Sequence, residues 1–158
     1  MGSATVVATA FALILLMVTA YFLVAVVLAT AEVVSYAQQE KLKQQELRVK
    51  TSISIENTSA VSLPPVIYAE IKNQGTASIS DFKYWDVYTG NSSSDPPVYY
   101  PMGSGYSQWN KVSIIPDLIN PGLLDPDEIM NISISYPGDK PRWIKIITPN
   151  GVSASAYV

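Results

Sequence analysis

The chain contains no cysteine and no histidine. Without them it has no thiolate or imidazole for a metal, no thiol nucleophile, and no catalytic step that needs imidazole. Disulfides are excluded as staples too, so any folded part must hold by packing alone. Charge is missing from residues 1–31, which include no Asp, Glu, Lys or Arg. Proline is absent before Pro64, and Gly2 is the one glycine before Gly75. A basic excess is lacking as well: the net charge is −3 and the pI about 4.8, which argues against a nucleic-acid partner.

At 158 residues there is room for one ordinary domain. The uneven composition divides the chain into an apolar helix at residues 1–31, a polar helical stalk at 32–50 and an all-β module at 51–158. From Ala4 to Ala31 only Thr5, Thr9, Thr19 and Thr30 are clearly polar, and neither Gly nor Pro interrupts the run. As a helix these residues extend roughly 42 Å, against about 30 Å for the hydrocarbon core of a bilayer. A helix apolar on every side has to be wrapped by lipid or by protein. The run is too long, and its start too poor in basic residues, for a cleaved secretory signal, so it is expected to be retained.

The stretch from Glu32 to Lys50 is rich in Gln, Glu, Lys, Leu and Ala, all helix formers. Leu28, Ser35, Leu42 and Val49 follow heptad spacing, a thin stripe that suits either a solvated stalk or a dimerising coil. Lys41, Lys43, Arg48 and Lys50 follow the apolar run, and the positive-inside rule would place the module in the cytoplasm. The character of the module points outward instead, and that reading is preferred.

Beyond Lys50 the apolar period becomes two. Thr51, Ile53 and Ile55 share a face, then Ile67, Ala69 and Ile71; a third run is expected over Ile79–Tyr88. Met130, Ile132, Ile134 and Tyr136 alternate with Asn131, Ser133 and Ser135, one face for the core and one for water. Trp143–Thr148 and Val152–Tyr157 flank Asn150-Gly151, a hairpin signal. With Val98–Pro101 and Trp109–Ile115 this makes seven or eight short strands, the spacing of an immunoglobulin-like sandwich without its cysteine pair. Trp85 or Trp143 is most simply a core aromatic.

The segment Gly90–Gly105 gathers Ser92-Ser93-Ser94, Pro96-Pro97 and the aromatics Tyr99 and Tyr100, with Tyr106 just beyond. It reads either as a recognition loop through Tyr99, Tyr100 and Tyr106 or as a hairpin whose tyrosines pack back on the sheet. Asn57, Asn91 and Asn131 each open an Asn-X-Ser/Thr triplet and are expected to be exposed, which suits a glycosylated, outward-facing module. Asp125, Asp127 and Glu128 form the tight acidic cluster; oxygen ligands at that spacing make a weak Ca²⁺ candidate, and a turn into the next strand is the easier account. Two carboxylates suffice for glycoside hydrolysis, but nothing marks a cleft, and no phosphate loop or nucleophile elbow is present. No catalytic residue, cofactor or metal is assigned, and the chain is not expected to be an enzyme.

Several strings together resemble the F-type accessory protein of the archaellum, the archaeal swimming filament. They are the Met1-Gly2-Ser3-Ala4 start running straight into an apolar helix, the Gln/Glu-rich stalk, and Ile67-Tyr68-Ala69-Glu70-Ile71-Lys72-Asn73-Gln74-Gly75-Thr76, similar to a family strand ending in Lys-Asn-x-Gly-Ser/Thr. Asp86-Val87-Tyr88, the stretch from Asn120-Pro121-Gly122 to Ile134, and Ile146-Ile147-Thr148-Pro149-Asn150-Gly151-Val152 add to it. The basic stalk and the tyrosine-rich loop depart from the pattern. Archaellins, archaeal pilins and the G-type accessory protein share the helix-plus-sandwich plan.

The resemblance implies a membrane-anchored stator outside the cytoplasm, its sandwich binding surface-layer protein, other archaellum accessory proteins or a second copy of itself. The alternative is a filament subunit whose N-terminal helices bundle in a fibre core.

Overall fold

The computed structural model describes residues 2–91 and 96–158. Two compact units make up the chain, residues up to 43 and residues 44–158.

A single helix, α1, runs from Gly2 to Lys50, and none of its residues is buried. Its apolar side chains, among them Phe11, Leu16 and Phe22, are exposed, and by length and composition it is able to cross a membrane. The threonines that interrupt the apolar run satisfy themselves. Thr5 Oγ1 donates to the Gly2 carbonyl at 2.9 Å, Thr19 Oγ1 to Leu16 at 3.0 Å and Thr30 Oγ1 to Val26 at 2.8 Å; Thr9 bonds back to Thr5 and Val6. Each threonine hydroxyl is thus spent on its own backbone, which lowers the cost of placing it in apolar surroundings.

The second unit is a β-sandwich of eight strands: β1 (Ile53–Ser62), β2 (Pro65–Asn73), β3 (Asp86–Gly90), β4 (Val98–Tyr100), β5 (Trp109–Ile115), β6 (Ile129–Ser135), β7 (Trp143–Ile147) and β8 (Ser153–Tyr157). They form two antiparallel four-stranded sheets, ordered β1-β2-β6-β5 and β4-β3-β7-β8. Alternation dictates the core. On β6, Met130, Ile132 and Ile134 lie opposite Ile71, Ala69 and Ile67 of β2, all essentially fully buried. Val87, Ile144 and Ile146 of the other sheet join the same core with Trp85 and Trp109, each large side chain worth about 1.5–3 kcal/mol of burial.

Two expectations are corrected. The run Ile79–Tyr88 is not one strand: Ile79 makes an isolated bridge to Leu124, Asp81 sits at φ 56° in the left-handed region, and Phe82–Tyr84 is a 3₁₀ turn. Phe82 folds inward against Trp85, ring centroids 5.3 Å apart, so regular pairing starts only at Asp86. Conversely, β1 runs on to Ser62 through the polar stretch Asn57–Ser62. A bulge between Ile55 and Asn57 shifts the register, and as an edge strand β1 needs only its backbone ladder with β2 to continue.

Candidate functional site

The densest polar construction lies where α1 ends and β2 turns. The last carbonyls of a helix have no partner within it. Here the turn after β2 supplies the donors: Thr76 and Ala77 N–H reach the Lys50 carbonyl at 2.8 and 3.2 Å, while Gln74 and Gly75 N–H reach Ser52 at 2.8 and 3.1 Å. Thr51 Oγ1 donates to the Leu47 carbonyl at 2.7 Å and accepts from Asn150 Nδ2 at 2.7 Å.

Asn73, wholly buried, organises the turn. Its Nδ2 donates to the carbonyls of Ala77 and Leu124 at 2.8 and 2.9 Å, and its Oδ1 accepts from Gly75 N–H at 2.9 Å. Gly75 is there for lack of space: a Cβ would sit 2.6 Å from the Ser52 nitrogen and closer still to the Lys50 carbonyl oxygen, both backbone atoms. Asn73-Gln74-Gly75-Thr76 reads in sequence only as punctuation after a strand; the long-range partners that make it a clamp are invisible there. Arg48 and Lys50 in the last helical turn suit the negative end of the helix dipole. Lys50 also bonds Glu46 at 2.6 Å and holds that carboxyl below its ordinary pKa, an exposed pair of small energetic weight.

The acidic cluster forms the turn into β6, its carboxylates engaged by protein donors. Asp125 accepts from the Asn120 backbone N–H at 3.0 Å and from its Nδ2 at 2.9 Å, and Glu128 accepts from the Asp125 N–H at 3.0 Å. Asp127, at φ 66°, turns outward to Lys72 at 3.2 Å. The three carboxylates therefore serve different protein donors, and among the described residues no three such groups converge on a metal position.

Hydrogen bonds from the Ser78 side chain and from Asn120 hold the Asp125 carboxyl below its usual pKa. A carboxyl lowered in the folded state stabilises above the unfolded-state value, about 3.9, and that contribution is lost as pH falls through the folded value. Asp125→Asn is accordingly expected to be less stable than the parent at pH 7 and to lose less further stability between pH 5 and 3. Thermal melts across that range check it; parallel losses in parent and variant would contradict it.

Of the three tyrosines, Tyr100 is corrected outright. It is 2 % exposed, its hydroxyl accepting from Thr89 Oγ1 at 3.4 Å, so its ring belongs to the core rather than to the surface. Tyr99, on the opposite face of the same strand, is about half exposed and leans on Tyr88, ring centroids 5.5 Å apart. Tyr106 is 81 % exposed. The segment carrying it is pinned by Trp109 N–H to the Pro101 carbonyl at 3.0 Å and by Gly105 N–H to Gln108 Oε1 at 2.6 Å. Ser92, Ser93 and Ser94 lie outside the described residues, as does Met1.

Asn57 on edge strand β1 and Asn91 at the end of β3 are exposed, the Ser92 and Ser93 of the latter triplet lying outside the described residues. Asn131 is less open than expected. It sits half-buried in mid-sheet, its Nδ2 donating to Ser113 Oγ at 3.2 Å. Trp143 also departs from expectation: unlike Trp85 it is only partly buried and faces outward from β7.

An apolar helix followed by an eight-stranded sandwich defines a class of helix-tethered β-sandwich proteins. Within it, the chain is 30 % identical to an uncharacterised protein of Archaeoglobus fulgidus over 159 residues, covering 99 % of this chain and 95 % of that one. The chain belongs to one family with that archaeal protein. Its fold matches two solved structures from Sulfolobus acidocaldarius. One is the archaellum periplasmic stator protein complex of FlaF and FlaG, at TM-score 0.53 and 24 % identity, covering 67 % of this chain and 87 % of that one. The other is the archaellum periplasmic stator protein FlaG, at TM-score 0.51 and 25 % identity, covering 68 % and 99 %. The likeness drawn from the strings around Asn73 and Asn150 is thus to the archaellum stator proteins, with both F and G named among the neighbours, and it supports a role in the archaellum. No family model matches the chain.

Proposed function

We propose that this chain is a membrane-tethered stator protein of the archaellum. In this reading residues 4–31 hold it in the membrane, residues 32–50 form the stalk, and the sandwich, residues 51–158, lies outside the cytoplasm and grips surface-layer protein. Further accessory proteins of the motor, or a second copy, are its other partners, in keeping with the FlaF and FlaG complex among the solved likenesses. Tyr99 and Tyr106 are the tyrosines offered to a partner, and Asn57 and Asn91 the open glycan acceptors.

The observation that carries the proposal is the pairing of two features on one helix. Residues 4–31 expose apolar side chains, threonines whose hydroxyls bond back to their own helix, and the amphipathic ring of Tyr21, while the carboxyl end of the helix is knitted by backbone hydrogen bonds into the sandwich. A chain that resists force needs both a hold at one end and a firm attachment at the other. Capture of surface-layer protein by the full chain in non-ionic detergent tests the reading, and failure to retain any envelope component would sink it.

A specific observation also favours the filament alternative: residues 4–31 of α1 are apolar all round, as the core of a helical fibre requires. Electron microscopy of the purified full-length chain separates the two, regular fibres favouring assembly and detergent-bound particles the stator.

The membrane hold is tested within the cell. Lysine at the centre of a spanning helix costs about 2.5–3.5 kcal/mol of insertion, so Leu16→Lys combined with Leu23→Lys is expected to move most of the chain from the carbonate-resistant membrane fraction to the supernatant. Unchanged retention would remove residues 4–31 as the anchor.

A further inference from the structure

On the outer face of the second sheet, β7 turns Trp143 and Lys145 toward solvent while Ile144 and Ile146 fill the core. The register places Trp143 between Gly90 of β3 and Tyr157 of β8, and Lys145 between Tyr88 and Ser155. Gly90 is what lets the indole lie down. A Cβ there would come within 2.6 Å of Trp143 Cε2 and 2.7 Å of Nε1, so the ring rests on bare backbone and is held in one place.

Beside it Tyr157 is 85 % exposed. Around these two rings lies an open cleft of about 880 Å³ bordered by Asn91, Arg142, Lys145 and Ser155. In a chain of net charge −3, both charges bordering the cleft are positive, and no acidic residue among the described ones lines it.

We propose that this face binds a negatively charged glycan, a short run of pyranose units bearing carboxylate or sulfate groups; the inference rests on the reading of the sandwich as an envelope-gripping head and names the chemistry it grips. The flat faces of Trp143 and Tyr157 stack on the C–H faces of sugar rings, burying apolar area with little side-chain entropy to lose. Arg142 and Lys145 meet the acid groups with charge-assisted hydrogen bonds. Ser155 and Asn91 supply short polar groups for hydroxyls. The volume falls within the roughly 300–1,000 Å³ of small-ligand sites. An extended acidic peptide fits less well. Peptides that dock on sheets take up free strand edges; the aromatic and basic groups here stand on the face of β7, a strand paired on both sides, and a peptide on the edge strand β8 is the outcome the poly-glutamate control detects.

The experiment uses the full-length chain in non-ionic detergent and the quenching of tryptophan fluorescence by acrylamide. Trp85 and Trp109 are 1 % and 0 % exposed, so quenching reports Trp143. The probes are oligoguluronate and a heparin hexasaccharide, with a malto-oligosaccharide and poly-glutamate as controls. Both acidic sugars, or either one, are expected to shield Trp143 at least about tenfold more tightly than the controls, with affinity falling as salt rises.

Lys145→Glu, Arg142→Glu and the exposed-site variant Tyr157→Ala are each expected to weaken binding by about tenfold or more with unchanged melting temperature. Absence of shielding by both acidic sugars overturns the proposal. So does equal shielding by poly-glutamate, or full affinity in all three variants. Capture of surface-layer protein stripped of its glycans as efficiently as the native form would also overturn it while leaving the stator reading intact; binding of acidic sugars without any capture of surface-layer protein would uphold it and sink that reading.

Discussion

Asn73→Ala is expected to lower the stability of the sandwich by about 3 kcal/mol, because it removes three hydrogen bonds of a wholly buried side chain and leaves a small void. The Ala77 carbonyl loses the side-chain donor it has from Asn73, while the Leu124 carbonyl and the Gly75 N–H keep weaker second partners in Ile79 and Ser52. That bookkeeping places the cost above one hydrogen bond and below three. For a unit of this size it corresponds to a fall of roughly 10–15 °C in melting temperature.

Asn73→Asp keeps the shape but turns the donor into an acceptor facing two carbonyls, and buries a charge. Its carboxyl pKa is then raised in the folded state, so the folded form is favoured at low pH and loses stability as pH rises above about 3.9, the unfolded-state value. The Asp variant should therefore melt lower at pH 7 than at pH 4, the reverse of an ordinary salt-bridged carboxylate. Melting followed by circular dichroism at the two pH values checks both variants. A loss under 1 kcal/mol for Asn73→Ala would remove Asn73 as the organiser of the clamp.

Gly75→Ala is expected to cost a similar amount, about 2–3 kcal/mol, by another route. The added methyl would lie against the Lys50 carbonyl oxygen and the Ser52 nitrogen, backbone atoms that yield only if the turn or the helix end moves. Either movement pulls on the four hydrogen bonds that Gln74, Gly75, Thr76 and Ala77 make to Lys50 and Ser52. Gly138→Ala is the control. Gly138 sits at φ 78° with nothing within 4 Å of a built Cβ, so its substitution meets only backbone strain, about 1 kcal/mol. The larger loss at Gly75 separates crowding from a general intolerance of alanine. Hydrogen exchange adds a local readout: the Thr76 and Ala77 amides should exchange faster in Gly75→Ala than in Gly138→Ala. Equal exchange in both would mean that the clamp is not what Gly75 protects.

The uncharged helix, the onset of two-residue alternation after Lys50, and the antiparallel sandwich were legible because each is a local pattern repeated along the chain. The edges of that legibility are physical. Asp81, in the left-handed region, broke a run of residues that alternation alone would have made a strand. The polar Asn57–Ser62 became strand because β2 offered it a ladder. Tyr99 and Tyr100 are neighbours of one type, yet the pleat sends one to solvent and the other to the core.

By itself the sequence determined that a 28-residue apolar run must leave water, that no thiol or imidazole chemistry is available, and that two-sided strands build the rest, since these follow from composition and short-range period. Only the tertiary structure decided that Asn73 and Gly75 close the helix end, that Asp125 is engaged by Asn120 in the turn into β6, and that Trp143 lies on Gly90 beside Arg142, Lys145 and Tyr157. Those decisions depend on residues tens of positions apart being brought within a few ångströms, which no local pattern encodes.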